Sequence, residues 1–291
     1  MPDVHRLFRC LQLAIAVSIA ASASAQTVAF EVASVKPSPP PPGNPFGFPT
    51  RSVVRIDRRG QFSGSQLTLR ELIRRAYDLP DFQIEGGPAW LTSERFEVAA
   101  KPPQTAAVPV SAETMRSMLQ SLLSNRFHVK AHTESREMAV FRLIAAGRDG
   151  KPSDQLRPSK VDCPSIRASR GAETPPDDGS KPECGISYRM NMPTRTMTME
   201  LNGESLSELM RALVTETRRP VIDDTGLRGT FDGTLTFVPE PLPGFPPAPG
   251  PAPEGVSVFT ALQELFGLKL EPGRGSVSVL VIESADRPTE N

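Results

Sequence analysis

The chain has 291 residues, with 33 Lys and Arg against 33 Asp and Glu, so it carries no formal net charge and no long-range field for a phosphate backbone. A dedicated nucleic-acid role is thereby excluded. Hydrophobic residues at 38% and a mean hydropathy of -0.26 suffice for a core and exclude a polytopic membrane protein.

Residues 1–25 read as a signal peptide. Arg6 and Arg9 precede an apolar run from Leu11 to Ala21, and Ala21-Ser22-Ala23-Ser24-Ala25 has the small-x-small pattern of a cleavage site between Ala25 and Gln26. The run is shorter than the ~20 residues a membrane span needs. The expected mature chain is exported to the periplasm or beyond, with no transmembrane segment, and keeps 31 basic and 32 acidic residues. It also keeps two cysteines, Cys163 and Cys184, with one possible pairing. A disulfide between them is expected, closing a polar connector at a gain of roughly 3 kcal/mol. No C-x-x-C pair or neighbouring His favours a metal or redox site there.

The 31 prolines, against a usual ~5% of residues, mark extended loops. Long proline-rich or polar breaks run from Pro37 to Thr50, Lys101 to Val110, Gly147 to Glu183 and Pro239 to Gly255. Between them the chain repeats itself. Thr68-x-x-Glu71 and Ser205-x-x-Glu208 are capping-box signatures. The first opens the word Leu69-Arg70-Glu71-Leu72-Ile73-Arg74, the second Leu206-Ser207-Glu208-Leu209-Met210-Arg211. Each word predicts a helix start. Leu119-Gln120-Ser121-Leu122-Leu123 and Leu262-Gln263-Glu264-Leu265-Phe266 predict a second helix in each stretch.

Strands are expected at Arg95–Ala99 and Thr234–Val238. Hairpins are expected over Phe127–Ala131 with Ala139–Ile144, and over Leu268–Leu270 with Ser276–Ile282, the latter turning at Glu271-Pro272-Gly273. This predicts an α+β protein of two similar halves, each with two helices packed on small mixed β-sheets, and an internal duplication. The expected organisation is signal peptide 1–25, first α+β half 26–147, disulfide-closed connector 148–187 and second α+β half 188–291.

The runs Phe30-Glu31-Val32-Ala33-Ser34-Val35-Lys36-Pro37, Glu85-Gly86-Gly87-Pro88-Ala89-Trp90-Leu91, Arg219-Pro220-Val221-Ile222-Asp223, Thr225-Gly226-Leu227-Arg228-Gly229 and Ala261-Leu262-Gln263-Glu264 resemble a soil-associated bacterial family of exported proteins of unknown function. The resemblance implies export and assigns no activity. In that family the domain sometimes follows a membrane metallopeptidase of the β-lactam-sensor type, a region this sequence does not show. The helix at Leu206, the strand at Arg219-Pro220-Val221, the helix at Phe259 and the strand Val277–Ile282 are also similar to the short N-terminal domain of secretins and TonB-dependent receptors. That likeness implies an envelope interaction surface.

No nucleophile elbow, S-x-x-K, zinc-protease motif or Gly-rich phosphate loop occurs, and no catalytic, cofactor-binding or metal residue is assigned. His128 and His132 are read as one face of a strand, ~13 Å apart and too distant to share an ion. Asp223-Asp224 reads as turn support. Glu85-Gly86-Gly87-Pro88 reads as a tight turn with Trp90 packed beneath it, and Trp90 with Phe46 and Phe48 forms an alternative binding platform. The pairs Arg74-Arg75 and Arg218-Arg219 read as solvated charge that could meet acidic partners.

The function expected is a non-catalytic binding module of the cell envelope, its partner an unspecified envelope protein or polymer. The alternative is an envelope hydrolase working through carboxylates that the sequence does not single out.

Overall fold

A computed structural model describes residues 28–39, 52–147, 150–174, 184–240 and 253–288. The expected signal peptide, the cleavage pair Ala25 and Gln26, the aromatic residues Phe46 and Phe48, and most of the first and last proline-rich breaks lie outside the described residues. No described helix is long and apolar enough to cross a membrane.

The described residues form a mixed α+β fold with five α-helices and three four-stranded sheets. In chain order the elements begin β1 (Val32–Pro37), β2 (Val53–Ile56), β3 (Phe62–Thr68), α1 (Leu69–Tyr77), β4 (Ile84–Gly86), β5 (Arg95–Lys101), α2 (Ala112–Phe127) and β6 (Lys130–Ala145). Then come β7 (Arg157–Pro158), α3 (Cys163–Arg170), β8 (Gly185–Asn191), β9 (Thr196–Ser205), α4 (Leu206–Thr217), β10 (Val221–Asp223) and β11 (Thr230–Phe237). The series ends with α5 (Val258–Ala261), which runs into a π-helical turn over Leu262–Phe266, and with β12 (Leu268–Ser284).

Helix α1 starts where its sequence predicts. Thr68 Oγ1 accepts the Glu71 N–H while the Glu71 carboxylate accepts the Thr68 N–H, which satisfies amide groups that a helix start leaves free. Leu69, Leu72, Ile73 and Ala76 recur at helical spacing and are all fully buried. Asp78 then ends the helix in the left-handed region. Helix α4 repeats the logic with Leu206, Leu209, Ala212 and Leu213, and Ser205 accepts the Glu208 N–H at 3.4 Å. Its Glu208 carboxylate is turned toward Arg167 and Arg211 instead of back to the cap.

The first sheet has the order β1-β5-β3-β2 and the third the order β7-β11-β9-β8, with antiparallel neighbours throughout. The central sheet, β10-β6-β12-β4, is mixed. Strands β6 and β12 run antiparallel along their whole lengths, from Lys130 opposite Ser284 to Ala145 opposite Leu268. Strand β10 lies parallel on β6, and β4 parallel on β12.

The expected hairpins do not form. Phe127 ends α2, Lys130–Ala145 forms one continuous strand, β6, and Leu268–Ser284 forms another, β12. Glu271-Pro272-Gly273 lies within β12, opposite Arg142, Phe141 and Val140. The carbonyl of Ser278 faces away from β6, where it accepts the Gln83 amide, so by strand alternation the site of the missing Pro272 N–H also faces away, and no ladder bond is lost. The sequence predicts an extended break from Gly147 to Glu183, whereas Cys163–Arg170 within it forms α3, with Asp162 as N-cap and Pro164 in its first turn.

Apolar side chains gather in two cores. One joins α1, α2 and the first sheet, with Leu280 and Ile282 of β12. The other joins α4, α5 and the third sheet, with Phe141 and Leu143 of β6. The first core thus takes in β12 from the far end of the chain, and the second takes in the end of β6 together with Leu268 and Leu270 of β12. At ~1.5–3 kcal/mol for each fully buried large apolar side chain, these two long strands tie the cores together.

Candidate functional site

A concavity of about 830 Å³ lies between α1 and α4 over the central sheet. Arg74, Arg75 and the capping residue Asp78 stand on the α1 side, and Ser207, Met210 and Arg211 on the α4 side. Its floor includes Val221 and Ile222 of β10 and the Ser276–Ser278 stretch of β12. Arg74 and Arg211 hold the same place in the repeated Leu-x-Glu-Leu-x-Arg word, so one local sequence delivers a guanidinium to the groove from each wall.

The carboxylates of the groove are engaged. Asp78 pairs with Arg211 across the groove at 2.8 Å and with Arg116 at 3.8 Å. Glu71 accepts Thr68 in the capping box and Ser52 Oγ at 2.9 Å. The Arg74 and Arg75 side chains, by contrast, make no hydrogen bond or ion pair with any described residue. Burial holds the Arg75 guanidinium below its ordinary pKa, with Glu71 opposing that effect and Arg74 adding to it.

A second cluster is buried beneath the third sheet. Cys163 opens α3, Cys184 immediately precedes β8, and Glu204 lies on β9. The expected disulfide between Cys163 and Cys184 is not formed: both are free, buried thiols whose sulfurs lie 2.7 Å apart, beyond the ~2.05 Å of an S–S bond. Gly203, at φ +68°, permits this packing, since a Cβ there would sit 2.7 Å from Cys163 Sγ. Burial, then the hydrogen bond with Cys184, pushes the Cys163 thiol up to about 12.

Glu204 is 1% exposed and pairs with Arg167 through Oε1, while Oε2 has no hydrogen-bond partner among the described residues. Burial raises its pKa against the pull of Arg167. The two sulfurs and a Glu204 oxygen lie within 4.8 Å of one another. Two thiolates on one tetrahedral zinc stand ~3.7 Å apart, given Zn–S bonds of ~2.3 Å, so this contact is too short for a shared ion as it stands.

The other residues singled out by sequence are dispersed. Trp90 lies on a 3₁₀ turn, edge-on to Phe96 at 6.3 Å, with the Arg287 guanidinium 5.3 Å from its ring centre. It does not line the groove, and Leu91, not Trp90, packs against Gly87. His128 is the left-handed cap of α2 instead of a strand residue, and it faces Asp286 at 3.3 Å. His132 does lie on β6, between Glu283 at 2.6 Å and Glu134 at 2.9 Å. Asp223 supports its turn as expected, accepting the Thr225 N–H and hydroxyl, while Asp224 pairs with Arg142. Arg219 lies over the Phe141 ring.

Sequence reasoning reached Arg74 and Arg75 but missed the groove. Asp78, Arg211 and Ser276–Ser278 come from segments nearly 200 residues apart, and the only local signal joining two of them is the shared place of Arg74 and Arg211 in the repeat.

In comparisons with known proteins, a family model described as protein of unknown function (DUF3738) matches residues 70–285. No curated protein and no solved structure matches the chain.

Proposed function

The chain belongs to the DUF3738 family, whose description assigns no activity, and we propose that it is an exported, non-catalytic binding module of the bacterial cell envelope, with the groove between α1 and α4 as its binding surface. The observation that carries this reading is the groove itself: a concavity of ligand-binding size whose guanidiniums Arg74 and Arg75 lack partners among the described residues. The hydrolase alternative has less support. Glu71 and Asp78, the carboxylates in the groove, are occupied by a helix cap and by guanidiniums, which leaves neither poised as a general acid or base.

The same reading includes an ancestral duplication. The order β3-α1-β4-β5-α2-β6 recurs as β9-α4-β10-β11-α5-β12, and the outer sheets place corresponding strands in the same order. Copying one unit and exchanging its long last strand accounts for both patterns, and it puts α1 and α4 on opposite sides of one groove. The likeness to secretin-type short domains and the signal-peptide reading of residues 1–25 support an envelope location.

Retention of the purified chain on isolated envelope material, for the wild type and for Ser207→Trp, tests the proposal. Ser207 is exposed on the groove wall, so the indole fills the groove without entering a core. The expected result is retention by the wild type and its loss in a variant with an unchanged melting temperature. Equal retention by both proteins contradicts the proposal, and so does steady release of soluble fragments by the wild type, which would mark a hydrolase.

A further inference from the structure

Beside Arg74 and Arg75, the floor of the groove carries a piece of open sheet edge. Strand β4 covers β12 only at Leu280–Ile282, and Gln83 Nε2 takes the Ser278 carbonyl at 2.6 Å. No described strand pairs the rest of that side of β12. Open edges invite pairing with another chain, and proteins guard them with charge and proline. The guards are present on both long strands: Lys269, Glu271, Pro272 and Arg274 on β12, and Lys130, His132, Glu134 and Arg136 on β6.

They stop at Ser276-Val277-Ser278, the stretch that enters the groove. By alternation from Ser278, the Ser276 N–H and carbonyl face away from β6, in line with β4. An added strand there would extend the position of β4 on the side of β12 away from β6, in a groove also lined by apolar Leu79, Met210 and Val214 and by the two guanidiniums that lack partners among the described residues. Main-chain pairing, apolar groove walls and a pair of adjacent cations together match the chemistry of an extended peptide that carries a carboxylate.

We infer that the groove binds a short extended segment of a partner protein as an added strand on the Ser276–Ser278 edge, with an acidic side chain of that segment held by Arg74 and Arg75. The inference rests on the groove being the binding surface and names the class of its ligand. A polysaccharide could satisfy the guanidiniums but would make no use of an unguarded backbone edge.

The test is an NMR titration of the chain with the blocked peptide Val-Glu-Val-Thr-Val, its Gln counterpart, and an oligogalacturonate as an acidic sugar. The expected result is that the acidic peptide shifts the amide signals of Ser276, Val277 and α1. The Gln peptide, and the acidic peptide on Arg75→Gln, should each bind at least tenfold more weakly, as the loss of a charge-assisted hydrogen bond entails. Ser276→Pro should weaken the peptide similarly, in a strand that already accommodates Pro272.

Peptide binding that is indifferent to both variants overturns the inference. Groove shifts with the oligogalacturonate alone also overturn it, while leaving the binding-module reading in place. If neither probe moves a groove signal the inference falls, and retention on envelope material then decides the broader reading separately.

Discussion

His132 shows how the charged exterior of the central sheet is organised. Its ring lies between Glu134 and Glu283, and those hydrogen bonds, Glu134 first, raise its pKa above the ordinary histidine value. A raised folded-state pKa means that the protonated ring favours the folded chain. The contribution is complete below the unfolded value of ~6.5 and is lost as pH rises through the folded midpoint. Glu283→Gln is therefore expected to lower the His132 midpoint in an NMR titration of its ring protons, and an unmoved midpoint would show that the carboxylate does not engage the ring. Glu204 stands at the other extreme. It is a buried carboxylate, and Arg167 offsets only part of its desolvation. Only Glu134, two residues from His132 on the same strand, is local; Glu283 is 151 residues from His132 and Arg167 is 37 from Glu204.

Among the elements, the helices were the most legible. Thr68 with Glu71 and Ser205 with Glu208 identify two helix starts, and apolar spacing identifies the faces they bury. Leu72 and Leu209 are fully buried in different cores. Leu72→Ala and Leu209→Ala are each expected to cost about 2 to 5 kcal/mol in denaturant unfolding, and losses near zero would place those faces in solvent. The long strands were legible as strands but not as single strands. Glu271-Pro272-Gly273 has the composition of a turn, and only the partner residues Val140–Arg142 and the outward-facing proline position convert it into extended chain. Helix α3 carried signals of its own in Asp162 and Pro164, yet its apolar positions Cys163, Ile166 and Ala168 do not all recur at helical spacing along one face. The expected bridge was argued from the count of cysteines. The structure brings the two residues into contact without joining them, and Cys163 is held as a neutral thiol by burial.

At the scale of the molecule, the central sheet decides how the rest can behave. Strand β6 pairs with β10 and β12 with β4 within this one sheet, so the first core depends on Leu280 and Ile282 of β12, and the second on Phe141 and Leu143 of β6. The groove lies where α1 and α4 stand on either side of this one floor. The sequence predicts two repeating stretches, each with two helices packed on small sheets. A repeat in sequence records the units, whereas the pairing of β6 with β12 is a contact across more than 120 residues that no local pattern encodes. Production of residues 28–174 and 184–288 as separate chains tests this interdependence most directly. The account predicts that neither melts cooperatively alone, and that mixing them restores one cooperative transition together with the Asp78–Arg211 contact across the groove. A sharp, unaltered transition from either fragment by itself would contradict it.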